Sequence, residues 1–167
     1  MESCTNSDLA NNYGNLCQRV FSFIRNNCEN KVSKPENISD TDKELIKKTK
    51  MLTKDLIEFM DNQKLNNYIK SVIEISFLTN KYINDEEPWK LKKNNNEKMN
   101  NILHMSLEQI AIISILLNPI IPDSSTKVLN ALNIKNELRN LSFLSGKNIL
   151  SNKITIKKLD ILFKKIN

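Results

Sequence analysis

Ile110 to Leu117 is the longest apolar run of the chain, interrupted only by Ser114, and Pro119 and Pro122 follow it closely. The run closes a helical pattern that starts near Lys98, so its last two turns are apolar nearly all round. A helix of that kind has no solvent face and must be enclosed by other elements. The two prolines end it, because neither can continue the hydrogen-bond ladder. At eight residues the run is too short to cross a bilayer, which takes about 20. The expectation is therefore full burial of these two turns, with no membrane partner, in a chain of 167 residues that can build one ordinary core.

The other periodic segments supply the rest of the bundle. Leu9, Tyr13, Leu16, Val20, Phe23 and Ile24 recur at helical spacing and predict a first helix over about Ser7 to Cys28, capped by Asn6 or Ser7. Gly14 inside it costs about 1 kcal/mol against alanine and points to the close approach of another helix. A second helix is predicted from Ser39–Thr41 to Asp61–Gln63, with Thr41 and Glu44 at capping-box spacing and Leu45, Leu52, Leu56, Phe59 and Met60 facing inward. A third runs from about Leu65 to Asn84, broadly apolar through Tyr68, Val72, Ile75, Phe77 and Tyr82 and therefore expected to be the central helix, and Pro88 stops it. Lys92 to Lys98 reads as a polar loop before the fourth helix. A short fifth helix, capped by Asp123 or Ser124, carries Val128, Leu129 and Leu132.

Residues 147–167 hold six lysines against one acid, Asp160, with scattered isoleucines and leucines. They read as a largely extended tail pinned across the bundle. The fold class is all-α: a bundle of about five helices with an irregular basic C-terminal tail. Residues 1–6 read as linker, 7–136 as the bundle and 137–167 as the tail.

Composition removes several classes of function. With only Gly14 and Gly146, neither a phosphate-wrapping Walker loop nor a dinucleotide fingerprint can be built. The lone His104 lacks partners for a catalytic triad and reads as a packed or surface histidine. Three cysteines, Cys4, Cys17 and Cys28, contain no CxxC pair, so no metal site is expected, and reduced thiols fit a cytoplasmic protein. Cys17 and Cys28 read as small buried apolar residues. Lys and Arg number 25 against 19 acids, a net charge of +6, which suits a polyanionic partner and equally a solvated lysine surface.

Two elements carry chemistry. Glu87-Pro88-Trp89-Lys90-Leu91-Lys92-Lys93 places the only tryptophan beside three lysines, an arrangement suited to stacking on an unpaired base while neutralising phosphates. On the first helix Asn11, Asn15 and Arg19 form a polar stripe. Asn15 and Arg19 lie one turn apart, an amide able to pair with a base edge and a guanidinium able to hold phosphate or stack. With the indole nearby they would frame a pocket for one nucleotide; a solvated helix face would display the same two residues.

The segment Asp8-Leu-Ala-Asn-Asn-Tyr-Gly-Asn-Leu-Cys-Gln-Arg19 resembles the opening of the anticodon-binding helical domain of class I methionyl-tRNA synthetases. Tyr82-Ile83 followed by Pro88-Trp89-Lys90-Leu91, then Leu117-Asn118-Pro119-Ile120-Ile121-Pro122, then Leu159 to Ile166, are similar to later signatures of that family, in the same order. Lys164-Lys165 stands where the family usually has Pro-Arg. Asp123 stands where valine, leucine and isoleucine synthetases often have a histidine, which favours the methionine branch.

The resemblance implies that Asn15, Arg19 and Trp89 help recognise the CAU anticodon of tRNA(Met), Trp89 by stacking on its first base. Lys90, Lys92 and Lys93 would add phosphate attraction. It also implies a catalytic domain of the same polypeptide that binds ATP and methionine. Neither of that domain's signatures, His-Ile-Gly-His and Lys-Met-Ser-Lys-Ser, occurs here. The chain is thus expected to be a monomeric portion of a longer synthetase, inactive alone and without a cofactor of its own. The other readings are a non-enzymatic basic interaction protein and the anticodon domain of another class I synthetase.

Overall fold

The computed structural model describes residues 9–146 and 148–163, apart from the side chain of Ala10. A π-helical turn, Leu9–Gly14, leads into α1 (Asn15–Asn27). Then come a short strand β1 (Lys31–Ser33), α2 (Asp40–Thr53), α3 (Leu56–Asp61), α4 (Leu65–Glu86), α5 (Pro88–Leu91), α6 (Asn96–Leu117) and α7 (Pro122–Ala131). Two 3-10 turns, Asn136–Leu138 and Leu141–Ser145, precede a second strand β2 (Lys153–Thr155). The five helices of ten or more residues form the expected all-α bundle.

Helix α6, rather than the expected α4, is its axis: every residue from Gln109 to Leu117 is buried, and α4 and α7 pack along it. By length and hydropathy α6 could cross a membrane, but 78% of its most apolar window is enclosed by the rest of the fold. Buried hydroxyls tie the layers together. Tyr13 Oη pairs with Ser114 Oγ at 2.7 Å, Tyr68 Oη donates to the Leu116 carbonyl at 2.7 Å, and Thr49 Oγ1 donates to Gln109 Oε1 at 2.7 Å. Each satisfies a polar atom that would otherwise be costly to bury.

Several expectations need correction. The first helix opens as a π turn, which moves Asn11 out of the one-turn ladder with Asn15 and Arg19. Its expected caps, Asn6 and Ser7, lie outside the described residues. The neighbour of Gly14 is the tail, not a helix: a Cβ there would stand 2.7 Å from Phe163 Cδ2. The second helix breaks after Thr53, and no proline or glycine marks the break. Its capping box is Ser39 with Asp42, two residues before the expected pair. Asp42 is held there because Tyr82 Oη donates to its Oδ1 at 2.5 Å, a contact between distant parts of the chain. Met60 and Phe77 are exposed rather than inward, and Cys28 is only half-buried.

Helix α7 begins with Pro122 at its first position and has no side-chain cap; Ser124 Oγ donates instead to the Leu162 carbonyl of the tail at 3.1 Å. The tail is extended and folded back, as expected. Its β2 pairs antiparallel with β1, Val32 opposite Ile154, and Ile149, Leu150, Ile154, Ile156 and Leu162 enter the core. Lys164-Lys165 falls outside the described residues.

Candidate nucleic-acid interface

Trp89 owes its position to one backbone turn. Glu87 takes a left-handed conformation (φ 45°, ψ 58°), and its N–H still donates to the Ile83 carbonyl at 3.0 Å. That residue ends α4 and reverses the chain. Pro88 then starts α5 as its first residue, where a missing N–H costs nothing. Pro88 is buried against the bundle and anchors a single helical turn, on which Trp89 stands outward. Sequence reading found Pro88 as a stop but missed that it also starts a helix, and missed the part played by Glu87.

Arg19 lies on α1, far from Trp89 in sequence, yet its guanidinium carbon stands 5.5 Å from the centre of the indole ring. That is a cation–π distance. Partial burial pushes the Arg19 pKa below its ordinary value, and the group stays cationic because guanidinium is so strongly basic. Trp89 is 43% exposed, so the ring keeps accessible surface. The contact lies at the surface of the bundle. Asn15 is exposed on the first turn of α1, one turn before Arg19. Arg19 and Trp89 are thus brought together, with Asn15 beside Arg19 on the same helix face.

The lysines divide. Lys90 Nζ pairs with Glu87 Oε1 at 2.8 Å, an exposed contact worth about 0–1 kcal/mol and easily exchanged for a phosphate. Lys92 and Lys93 are exposed and in no ion pair among the described residues. The charge of Lys92 reaches the half-buried Cys28 thiol at the end of α1, so this lysine lies toward α1. Lys98, which sequence reading did not single out, pairs with Glu86 at 2.9 Å and fastens the start of α6 to the end of α4.

The chain is thus an all-α bundle that presents an aromatic–guanidinium edge near exposed lysines. A crystal structure of apo methionyl-tRNA synthetase from Mycobacterium tuberculosis superposes with a TM-score of 0.88 over 98% of this chain and 33% of that one, at 24% identity. The chain belongs to the family described as the anticodon binding domain of methionyl tRNA ligase, whose model matches residues 32–167. Among relatives named methionine–tRNA ligase, that of Brucella suis is 33% identical over 81% of this chain and 26% of its own length. That of Rickettsia felis is 36% identical over 80% of this chain and 27% of its own. The chain thus spans about a quarter of the length of these relatives.

Proposed function

We propose that this chain is the module with which a methionyl-tRNA synthetase holds the CAU anticodon of tRNA(Met). The observation that carries the reading is the guanidinium of Arg19 over the part-exposed ring of Trp89 at 5.5 Å. An unpaired base can stack on the free part of the indole while Arg19 faces its phosphate or edge. Asn15, one turn away, offers an amide donor and acceptor to a base edge. Lys92 and Lys93 add sequence-independent attraction to the loop backbone, and Lys90 joins them once released from Glu87. Activation of methionine with ATP falls to a catalytic domain of the same polypeptide. The module works as a monomer in the cytoplasm.

The test is a titration of the chain with the tRNA(Met) anticodon stem-loop, followed by the emission of its single tryptophan. Trp89→Ala and Arg19→Ala should each weaken binding by about 1–3 kcal/mol, with Trp89→Ala followed by calorimetry. A stem-loop with a changed anticodon should bind like the variants. Equal binding of wild type and both variants at low salt would reject the site.

A further inference from the structure

Trp89 stands on residues 87–95, the connection between α4 and α6, which packs on the bundle through Pro88 and Leu91. Those apolar contacts carry no direction, and α5 between them is a single turn. Arg19 belongs to a different element, α1. The 5.5 Å between its guanidinium and the indole therefore depends on where the connection rests.

A directional contact closes the base of this connection. Lys98 Nζ, in the first turn of α6, stands 2.9 Å from Oε2 of Glu86, the last residue of α4. The other ion pairs among the described residues, Asp40–Lys43, Glu44–Lys48, Lys81–Asp85 and Glu87–Lys90, each lie within one helix or its cap, and their acids are at least 40% exposed. This one joins two helices, and the Glu86 side chain is 12% exposed, so salt screens it less. No second cation stands ready to replace Lys98. Lys48 and Lys81, which share a shallow cleft with Glu86, are paired with Glu44 at 2.7 Å and Asp85 at 2.6 Å. The pair also runs against the dipoles of both helices, an acid at the C-terminal end of α4 and a base in the first turn of α6. Neither charge helps its own helix, so the contact between the helices is what they serve. Lys98 is itself fixed, because its N–H donates to Oδ1 of Asn95, the cap of α6, at 2.9 Å.

We propose, on the reading that this chain holds the CAU anticodon, that Glu86 and Lys98 are positioning residues for that site. Their ion pair closes the base of the connection and holds the Trp89 ring where Arg19 and a stacked base can share it. Neither residue touches the RNA. A role through charge alone predicts the opposite outcome for one substitution. Glu86→Gln removes an acid and frees a lysine, so a surface that worked only by charge would bind a polyanion more tightly. Loss of the pair weakens binding instead, because the ring must then be ordered as the base arrives.

Calorimetric titration of the chain with the tRNA(Met) anticodon stem-loop at low salt should show Glu86→Gln weakened about fivefold. The exchanged pair, Glu86→Lys with Lys98→Glu, keeps the net charge and suits both dipoles, and should return affinity to within about twofold of wild type. Without RNA, acrylamide should quench the single tryptophan more strongly in Glu86→Gln than in wild type or the exchanged pair, with the urea midpoints checked in parallel. Trp89→Ala in the same titration separates the two claims. If it binds as tightly as wild type, the anticodon reading falls and the role of the pair falls with it. Trp89→Ala weakened but Glu86→Gln at or above wild-type affinity would overturn the positioning role alone. Unchanged quenching in Glu86→Gln, or an exchanged pair as weak as Glu86→Gln, would do the same.

Discussion

Helix α1 has two faces, and they are built by opposite rules. On one, Leu16, Cys17 and Val20, continued by Tyr13 of the preceding π turn, are sealed against α6 and the tail, and the Phe163 ring stands edge-on to Tyr13 with centroids 6.5 Å apart. On the other, Asn15 and Arg19 are open to solvent, and Arg19 leans on a ring that is itself part-exposed. Both faces use an aromatic partner from a distant segment. The sealed one takes its free energy from removing apolar surface from water, the open one from a weak contact that leaves groups accessible. Mutations on the first should therefore change stability, and those on the second should change binding.

The largest effect belongs to the sealed face. Leu16 is fully buried, and Leu16→Ala should lower unfolding free energy by about 2–5 kcal/mol, read from urea denaturation. If the loss were below 1 kcal/mol, the seal would be looser than its burial says. Next comes His104, enclosed on the far side of α6. Its folded pKa of about 4 lies below the ordinary 6.5, so between these values the unfolded chain binds more protons. Stability from this group is present above pH 6.5 and is lost as pH falls toward 4, up to about 3 kcal/mol. Glu108, whose carboxyl burial pushes upward, acts in the opposite sense at the acid end. His104→Gln should flatten the slope of unfolding free energy between pH 6.5 and 5.

The sealed face was largely legible in the sequence, because helical periodicity reports burial directly: Leu9, Tyr13, Leu16, Val20 and Ile24 are all core. What periodicity could not report was the identity of partners. Gly14 signalled a close approach, but that Phe163 makes it depends on the path of the tail, which has no period. The break after Thr53 was invisible for the same reason: no residue there forbids helix. On the open face the chemistry of Arg19 and Trp89 was visible as residue types, while their meeting depended on how α5 turns back. The left-handed Glu87 that sets this turn carries no signal, since non-glycine residues rarely adopt it.

Gly14→Ala sharpens the comparison at the boundary of the two faces. The backbone there is helical, φ −61° and ψ −47°, so alanine brings no conformational strain and adds helix propensity. Its Cβ, however, would stand 2.7 Å from Phe163 Cδ2 and 3.0 Å from Cε2. The ring must move, and the net cost should be about 1 kcal/mol. In Phe163→Ala the same substitution should become neutral or stabilising. A double-mutant cycle with no coupling would mean that the tail does not press on this turn.

The smallest stability effect, and the one that separates the two faces most cleanly, is Arg19→Lys. A lysine keeps the positive charge but loses the planar fork that lies against the indole. An exposed cation–π contact contributes about 0.5–1 kcal/mol, so the urea midpoint should hardly move. Charge count is unchanged, so the dependence of stem-loop affinity on salt should keep its slope, which counts phosphate contacts. Affinity itself should fall, because the ammonium is a point charge that cannot also lie flat beside a stacked base. An unchanged affinity with an unchanged slope would reduce Arg19 to a generic cation and leave base recognition to Trp89 and Asn15. A shallower slope would show instead that the guanidinium works through phosphate.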